Sequence, residues 1–173
     1  KGIPEKNIKI LGDRPLIAHS IKVAQECKYI SKVIVSTDDK TIALIAKEYG
    51  AEVPFLRPAE LAGDTSSEYD AWKHAINAYH KIYDDKIDIF VSLPPTSPLR
   101  SSADIQACIN EYNSYDTDMV VTVQNASRSP YFNMLINNDA GYSEIAGKDP
   151  SGKKYSRRQD APELFDMTTV AYV

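Results

Sequence analysis

Cations gather in a few predicted loops of this sequence, where they could bind an anionic ligand. Flexible lysines suit a polyphosphate, because each carries a point charge on a long stem. Arginines suit a carboxylate or phosphate, since a guanidinium can bind either group in bidentate fashion. A solvated basic surface is the alternative for each of these groups. The gathered cations are Lys1, Lys6, Lys9, Arg57, Arg100, Lys153, Lys154, Arg157 and Arg158.

The first nine residues combine three lysines with Gly2 and Pro4 and show no helical or strand periodicity. Gly2 permits close approach of the backbone to a ligand. The side-chain amide of Asn7 could hydrogen bond to a base or a sugar. This loop could therefore bind the polyphosphate of a nucleotide, and a solvated basic terminus is the alternative. Because no strand precedes the loop, we expect that an N-terminal strand is missing from this chain.

A stiff loop follows the apolar run at residues 87–93, which predicts a strand buried on both faces. The strand ends in Pro94-Pro95-Thr96-Ser97-Pro98, where each proline lacks a backbone donor and fixes its own φ. Ligands of open α/β sheets bind at the carboxyl ends of such strands. Thr96 and Ser97 supply hydroxyls there, and Arg100 supplies a guanidinium. A rigid connector without a ligand is the alternative.

Two further loops follow predicted strands. Arg57 precedes a small polar loop at residues 63–67, an order that suits an anionic substrate. The alternative is a salt bridge at Arg57 and a helix N-cap at Ser66 or Ser67. Ser36-Thr37-Asp38-Asp39 ends another strand, and its aspartates could bind a metal or cap the next helix.

Composition predicts a soluble globular protein, since 43% of the 173 residues are hydrophobic and 25% are charged. The net charge of −4 argues against general nucleic-acid binding. No stretch approaches the ~18–20 apolar residues that span a bilayer, so no membrane partner is predicted. Cys27 and Cys108 form no disulfide framework or metal motif, which favours reduced thiols and a cytoplasmic location. No serine has an evident His/Asp partner, so nucleophilic catalysis is not predicted.

Helical and strand patterns alternate through the first 123 residues. This alternation predicts an α/β fold with a mainly parallel sheet, helices on both faces and right-handed crossovers. Helices are predicted at residues 14–29, 41–49, 68–83 and 102–112, and strands at 33–35, 51–56, 87–93 and 119–123.

The pattern changes after residue 124. Two alternating segments, 131–136 and 142–145, flank a turn cluster at 137–141 and predict a hairpin. A final strand is predicted at 168–173. A hairpin that projects from an α/β body could serve as a dimerisation element or a lid, and packing on its own sheet is the alternative.

These motifs, in this order, resemble the acylneuraminate cytidylyltransferases (CMP-sialic acid synthetases) over nearly the whole chain. The specific combination is Lys-Gly-Ile-Pro-Glu-Lys-Asn at residues 1–7 with Pro-Thr-Ser-Pro-Leu-Arg at 95–100. The other anchors are residues 15–21, 33–38, 57–61 and 64–65, with weaker agreement at 158–159 and 162–165.

The resemblance implies a Rossmann-like, three-layer nucleotidyltransferase fold with a projecting hairpin that joins a homodimer. It implies one domain over residues 1–173 that lacks its first strand and its C-terminal part, with an inserted hairpin region at 125–160. The implied reaction joins CMP from CTP to a nonulosonic (sialic-acid-like) sugar acid and releases pyrophosphate. It depends on Mg²⁺, whose ligands are expected beyond residue 173 and not within this segment.

The resemblance also implies site residues. Lys1 and Lys6 are implied as triphosphate ligands and catalytic residues. Arg158 and Gln159 fall where the family approaches the sugar, partly across the dimer interface, and Arg100 is also predicted to bind the sugar. The predicted nucleotide-binding residues are Lys1, Gly2, Lys6, Asn7, Arg57, Ser67, Glu68, Pro94, Thr96 and Ser97.

Three positions depart from the family pattern. Pro94 replaces a glutamine that commonly helps recognise cytosine, and Glu68 replaces a serine that helps read the base. The segment 166–169 replaces Arg-Pro-Asn-Gly before the last strand, which points away from N-acetylneuraminate towards legionaminic, pseudaminic or another ulosonic acid. A nucleotidyltransferase for another base or sugar, or a non-catalytic nucleotide-binding module, is therefore an alternative.

Overall fold

The computed structural model describes residues 3–63, 65–149, 151–152 and 154–173. The chain divides into two compact units. The first comprises residues 1–122 and 169–173, and the second comprises residues 123–168. The insertion predicted at 125–160 falls inside the second unit, and its assignment as an insertion stays a prediction.

The four predicted helices are confirmed, all in the first unit. They are α1 (Leu16–Glu26), α2 (Lys40–Glu48), α3 (Glu68–Ile82) and α4 (Ser102–Ser114). Helix α1 begins later than predicted because Arg14 and Pro15 form a strand instead. Short 3-10 turns at Lys6–Ile8, Ala59–Leu61 and Arg158–Asp160 lie between the longer elements.

Side-chain caps fix the starts of two helices. Asp39 accepts hydrogen bonds from the backbone N–H groups of Thr41 and Ile42 at 2.6 and 3.2 Å, which confirms that it caps α2. Ser101 and Asp104 form a reciprocal capping box at α4. Hydrogen bonds from the backbone N–H and then the hydroxyl of Ser101 lower the pKa of Asp104.

Six strands form among the described residues, and their bounds differ from those predicted. They are β1 (Ile10–Leu11), β2 (Arg14–Pro15), β3 (Val121–Asn125), β4 (Leu135–Asn137), β5 (Ser143–Ile145) and β6 (Phe165–Tyr172). The β1–β2 hairpin turns at Gly12, whose φ of 68° favours glycine, and the sequence analysis did not predict it.

The segments predicted as strands at 33–35, 51–56 and 87–93 are extended, but they pair through single bridges rather than continuous ladders. Ile34 pairs with Glu52 in parallel, and Ser92 pairs with Tyr172 in antiparallel fashion. Pro54 and Pro94 lack the backbone donor that a longer ladder requires. The predicted strand lengths are therefore wrong in these three segments.

The end of β6 runs antiparallel to its neighbours in the first unit, which corrects part of the predicted parallel sheet. Ser92 and Tyr172 exchange N–H···O bonds of 2.8 and 3.1 Å, and Val120 and Val173 exchange bonds of 2.8 and 3.0 Å. Such reciprocal bonding is the antiparallel pattern. The chain enters β6 from the second unit rather than from a crossover helix, so the βαβ argument does not fix its direction.

Two groups of buried side chains hold the first unit together. Ile17 and Ile21 of α1 pack with Ala46 and Ala51. The other group joins α4 to the end of β6, and both cysteines are buried free thiols within it, as predicted. Its members are Cys27, Ile105, Cys108, Ile109, Ala171 and Val173.

The second unit contains the predicted hairpin, which is confirmed. Strand β4 pairs with β5 in antiparallel register, with Leu135 opposite Ile145. The side chain of Asn138 accepts hydrogen bonds from the N–H groups of Ala140 and Tyr142, and so it stabilises the turn.

Membrane-spanning helices are absent from the part of the chain that the structure describes. The cytoplasmic location stays a prediction.

Candidate functional site

A cleft of about 730 Å³ lies in the first unit. It extends beside α3 and the extended segments at 29–37 and 85–95. Half of the predicted nucleotide-binding residues line it, although they are far apart in the sequence. These are Asn7, Arg57, Ser67, Glu68 and Pro94.

Two neighbouring strand ends position Arg57. Its backbone N–H donates to the carbonyl of Thr37 at 2.8 Å, so the segments around 37 and 57 end side by side. The guanidinium of Arg57 lies 3.8 Å from the carboxylate of Asp38, with its side chain 25% exposed. The salt bridge expected as an alternative is therefore present, but its length leaves the guanidinium able to donate to a ligand.

Three buried polar atoms in the cleft lining have no hydrogen-bond partner among the described residues. They are Asn7 Oδ1, Ser36 Oγ and Arg57 Nε. Buried polar groups are normally paired, and an unpaired one costs about 1–3 kcal/mol. A bound polar ligand would supply the missing partners. Ser36 was not predicted as a binding residue, although its position at a strand end was an available signal.

The amino end of α3 forms another part of the lining. Ser67 is the N-cap residue, but its side chain makes no capping hydrogen bond. Ser66 instead donates its hydroxyl to the carbonyl of Glu60 at 2.8 Å. Neither serine side chain therefore caps α3, contrary to the N-cap at Ser66 or Ser67 that was the alternative to substrate binding. Burial and, secondly, the charge of Glu68 raise the pKa of Tyr172, which indicates that Glu68 lies near the end of β6.

The proline-rich loop meets the cleft at one end only. Pro94 and Pro95 line it, whereas Thr96 and Ser97 do not. The hydroxyls of Thr96 and Ser97 lie 3.2 and 2.8 Å from the hydroxyl of Thr169. These two residues thus contact β6, and their predicted contact with the nucleotide is not supported by this position.

Arg100 is buried, with only 6% of its surface exposed. Its guanidinium donates to Ser20 Oγ at 3.0 Å, to the carbonyl of Thr169 at 2.9 Å and to the carbonyl of Pro94. Desolvation lowers the pKa of Arg100 to about 10, so it stays charged at neutral pH. Arg100 does not line the cleft, so its predicted contact with the sugar is not supported by this position. Both terminal nitrogens already donate to protein oxygens, whereas Nε is buried without a partner among the described residues.

The remaining predicted residues lie elsewhere. Lys6 is half-buried in the turn that carries Asn7, but it does not line the cleft. Lys1 and Gly2 lie outside the described residues. Arg158 and Gln159 lie in the second unit, where Arg158 lines a separate cavity of about 260 Å³.

Metal ligands do not gather in residues 3–63, 65–149, 151–152 and 154–173, where no three His, Cys, Asp or Glu side chains could hold an ion together. Asp38 faces Arg57, and Asp39 caps α2. The described side chains therefore do not form a Mg²⁺ site, and the dependence on Mg²⁺ stays a prediction.

The sequence pattern of the family described as Cytidylyltransferase matches residues 1–168. The chain belongs to this family. The prediction that the chain is a nucleotidyltransferase is thereby confirmed.

Relatives place the chain in the acylneuraminate branch, as its motifs predicted. It is 34% identical to the post-translational flagellin modification protein B of Campylobacter coli, over 100% of this chain and 72% of that protein. It is 36% identical to the N-acylneuraminate cytidylyltransferase of Escherichia coli O18:K1:H7, over 91% of this chain and 36% of that enzyme. It is 32% identical to the CMP-N,N'-diacetyllegionaminic acid synthase of Campylobacter jejuni, over 100% and 72% respectively.

Solved structures show the same fold at low sequence identity. A CMP:2-keto-3-deoxy-manno-octonic acid synthetase complexed with CTP superposes with a TM-score of 0.67 and 16% identity, over 98% of this chain and 67% of that one. The 4-diphosphocytidyl-2C-methyl-D-erythritol synthase of Anaerococcus prevotii superposes with a TM-score of 0.61 and 13% identity, over 94% of this chain and 61% of that one. The predicted nucleotidyltransferase fold is therefore confirmed at this level.

Proposed function

We propose that this cytidylyltransferase transfers CMP from CTP to the anomeric hydroxyl of a sialic-acid-like nonulosonic acid and releases pyrophosphate. The observation that carries the proposal is the family match over residues 1–168. Relatives named for cytidylyl transfer to neuraminic and legionaminic acids, at 32–36% identity, support the class of sugar.

The cleft suits such a transfer. The oxygen of the sugar hydroxyl would attack the α-phosphorus in line, its proton would pass to water, and the bond to pyrophosphate would break. This reaction needs positioning and positive charge more than covalent help from the protein. Arg57 would bind phosphate oxygens. Asn7 and Ser36 would hydrogen bond to the nucleotide through Oδ1 and Oγ, which have no partner among the described residues. We retain Mg²⁺ in the proposal, with ligands beyond residue 173.

Glu68 and Pro94 bear on the choice of base, because both line the cleft. A carboxylate accepts hydrogen bonds and donates none when ionised. Glu68 could therefore accept from the amino group of cytosine, whereas uracil carries an oxygen at that position and would be repelled. Adenine and guanine also carry amino groups, so a different base is the second candidate.

Pyrophosphate release by the full-length protein tests the proposal. CTP, UTP, GTP and ATP are each combined with N-acetylneuraminic, N,N'-diacetyllegionaminic and pseudaminic acids in the presence of Mg²⁺. We expect turnover with CTP, highest for a sugar other than N-acetylneuraminic acid because Asp166 replaces a basic residue. Turnover with GTP alone would contradict cytidylyl transfer, and no turnover with any pair would contradict the enzymatic proposal.

A homodimer joined by the β4–β5 hairpin is also part of the proposal. Four large apolar side chains of the hairpin are exposed, on both of its faces, and an isolated two-stranded hairpin cannot bury them. A second copy of the same hairpin, packed face to face, would cover the face that carries Leu135 and Ile145. The four apolar residues are Leu135 (64% exposed), Ile136 (47%), Tyr142 (74%) and Ile145 (38%).

Leu135→Asp is expected to convert the dimer into a monomer, because it would bury an unpaired carboxylate in the interface. Light scattering coupled to size-exclusion chromatography measures the molar mass. Leu44→Asp is the matched control, since Leu44 on α2 is 63% exposed and lies outside the hairpin. The dimer proposal is wrong if the unmodified protein is monomeric or if Leu135→Asp remains dimeric.

A further inference from the structure

We propose that Arg100 and Thr169 are positioning residues that hold the loop at residues 94–97 in the geometry that binds the nucleotide. The inference rests on the proposed function, since it takes the cleft as the CTP site. Neither residue lines the cleft, so each would act through the loop rather than by contact with a ligand.

The loop has few means of holding its own shape. Pro94, Pro95 and Pro98 lack backbone N–H groups, so they cannot donate to a neighbouring strand. The backbone bonds that remain are long: Ser97 N–H to the Pro94 carbonyl at 3.5 Å, and Arg100 N–H to the Ser97 carbonyl at 3.4 Å. Side chains must therefore supply most of the anchoring.

Arg100 joins the loop to two other elements. One nitrogen of its guanidinium donates both to the Pro94 carbonyl, in the loop, and to the Thr169 carbonyl, in β6. The other terminal nitrogen donates to Ser20 Oγ on α1 at 3.0 Å. Since the guanidinium is rigid and planar, these bonds fix the distance between the loop and β6.

Thr169 anchors the other end of the loop. Its hydroxyl lies within hydrogen-bonding distance of both Thr96 and Ser97. Arg100 thus holds Pro94, the first residue of the loop, and Thr169 holds Thr96 and Ser97, the third and fourth. Pro94 and Pro95, which line the cleft, are thus fixed between two anchors.

Loss of either anchor should weaken CTP binding with a smaller effect on the chemical step. Lysine at position 100 keeps the positive charge but cannot reproduce the planar fork, in which one nitrogen binds the two carbonyls while the other binds Ser20 Oγ. We expect Arg100→Lys to raise the dissociation constant of CTP about tenfold, which corresponds to a loss of about 1.4 kcal/mol. Thr169→Val keeps the branched shape and removes one hydroxyl, so we expect an increase of about threefold.

Fluorescence of Trp72 measures the binding, because Trp72 lines the cleft and is the only tryptophan in residues 1–173. The same titration of Trp72→Phe subtracts the signal of any tryptophan outside these residues. The full-length protein is titrated with CTP and Mg²⁺ without a sugar acid, so no turnover occurs. Ser101→Ala is the control, since it removes the α4 capping box next to Arg100 without touching the loop. It should lower the urea midpoint and leave CTP affinity unchanged.

The outcomes separate the two proposals. If the unmodified protein fails to bind CTP, the proposed function fails. If it binds CTP and both Arg100→Lys and Thr169→Val bind equally well, the positioning role is overturned. Should Arg100→Lys fail to fold, Thr169→Val decides the result. In turnover assays of Arg100→Lys and Thr169→Val, the KM for CTP should rise more than kcat falls. Ser101→Ala only destabilises the protein, so its KM and kcat should stay unchanged at a temperature where the protein is folded.

Discussion

Arg57→Met is expected to lower kcat/KM for CTP about 100-fold, a typical result of removing one charge-stabilising donor. Arg57 lies at a strand end in the cleft, and its Nε is buried without a partner among the described residues. Methionine keeps much of the apolar stem and removes all the donors. The free energy of unfolding should change by less than about 1 kcal/mol, because the partly exposed contact with Asp38 is a weak ion pair.

Steady-state pyrophosphate release measures this loss, and urea unfolding measures stability. Arg14→Met is the matched control: the Arg14 side chain is 32% exposed and pairs with Asp13 at 2.6 Å, but it does not line the cleft. The control should keep its activity. Equal activity of Arg57→Met and Arg14→Met would show that Arg57 does not bind the nucleotide.

Helices were predicted well because their signals are local. Apolar side chains at helical spacing and caps such as Asp39 lie within a few residues of the helix they define. Helix α3 begins at the predicted Glu68 and ends one residue before the predicted end. The β1–β2 hairpin was missed since its strands have only two residues each, too few to show alternation.

Strand pairing depends on contacts that are distant in the sequence, so it was predicted less well. Alternation of helices and strands indicates parallel pairing, and the bridge from Ile34 to Glu52 agrees. The bridge from Ser92 to Tyr172 joins a residue near the middle of the sequence to the last strand and is antiparallel. No local pattern fixes the direction in which the chain returns from the second unit.

The difference between local signals and contacts distant in sequence also explains which site residues were predicted correctly. Asn7 was predicted from its amide in the N-terminal loop and Arg57 from its guanidinium at a strand end, and both line the cleft. Arg100 was predicted by the same argument, but its partners Ser20 and Thr169 lie 80 and 69 residues away. A sequence shows that an arginine occurs in a loop, but not whether distant oxygens already bind it.

Lys6→Ala is expected to lower kcat/KM for CTP about 10- to 100-fold without unfolding the protein. Lys6 is half-buried in the same 3-10 turn as Asn7, whose buried Oδ1 lines the cleft. Its long stem lets the ammonium reach a triphosphate that lies against Asn7, even though Lys6 itself does not line the cleft.

Lys9→Ala is the matched control, because Lys9 is an exposed lysine that directly follows this turn and does not line the cleft. The two variants remove the same charge from the same stretch of chain, so a general effect of net charge on CTP encounter would lower both activities alike. A loss confined to Lys6→Ala would therefore locate the triphosphate beside Asn7. If Lys6→Ala keeps full activity, the N-terminal turn does not bind phosphate, and Arg57 would remain as the cation that lines the cleft beside Asn7 and Ser36.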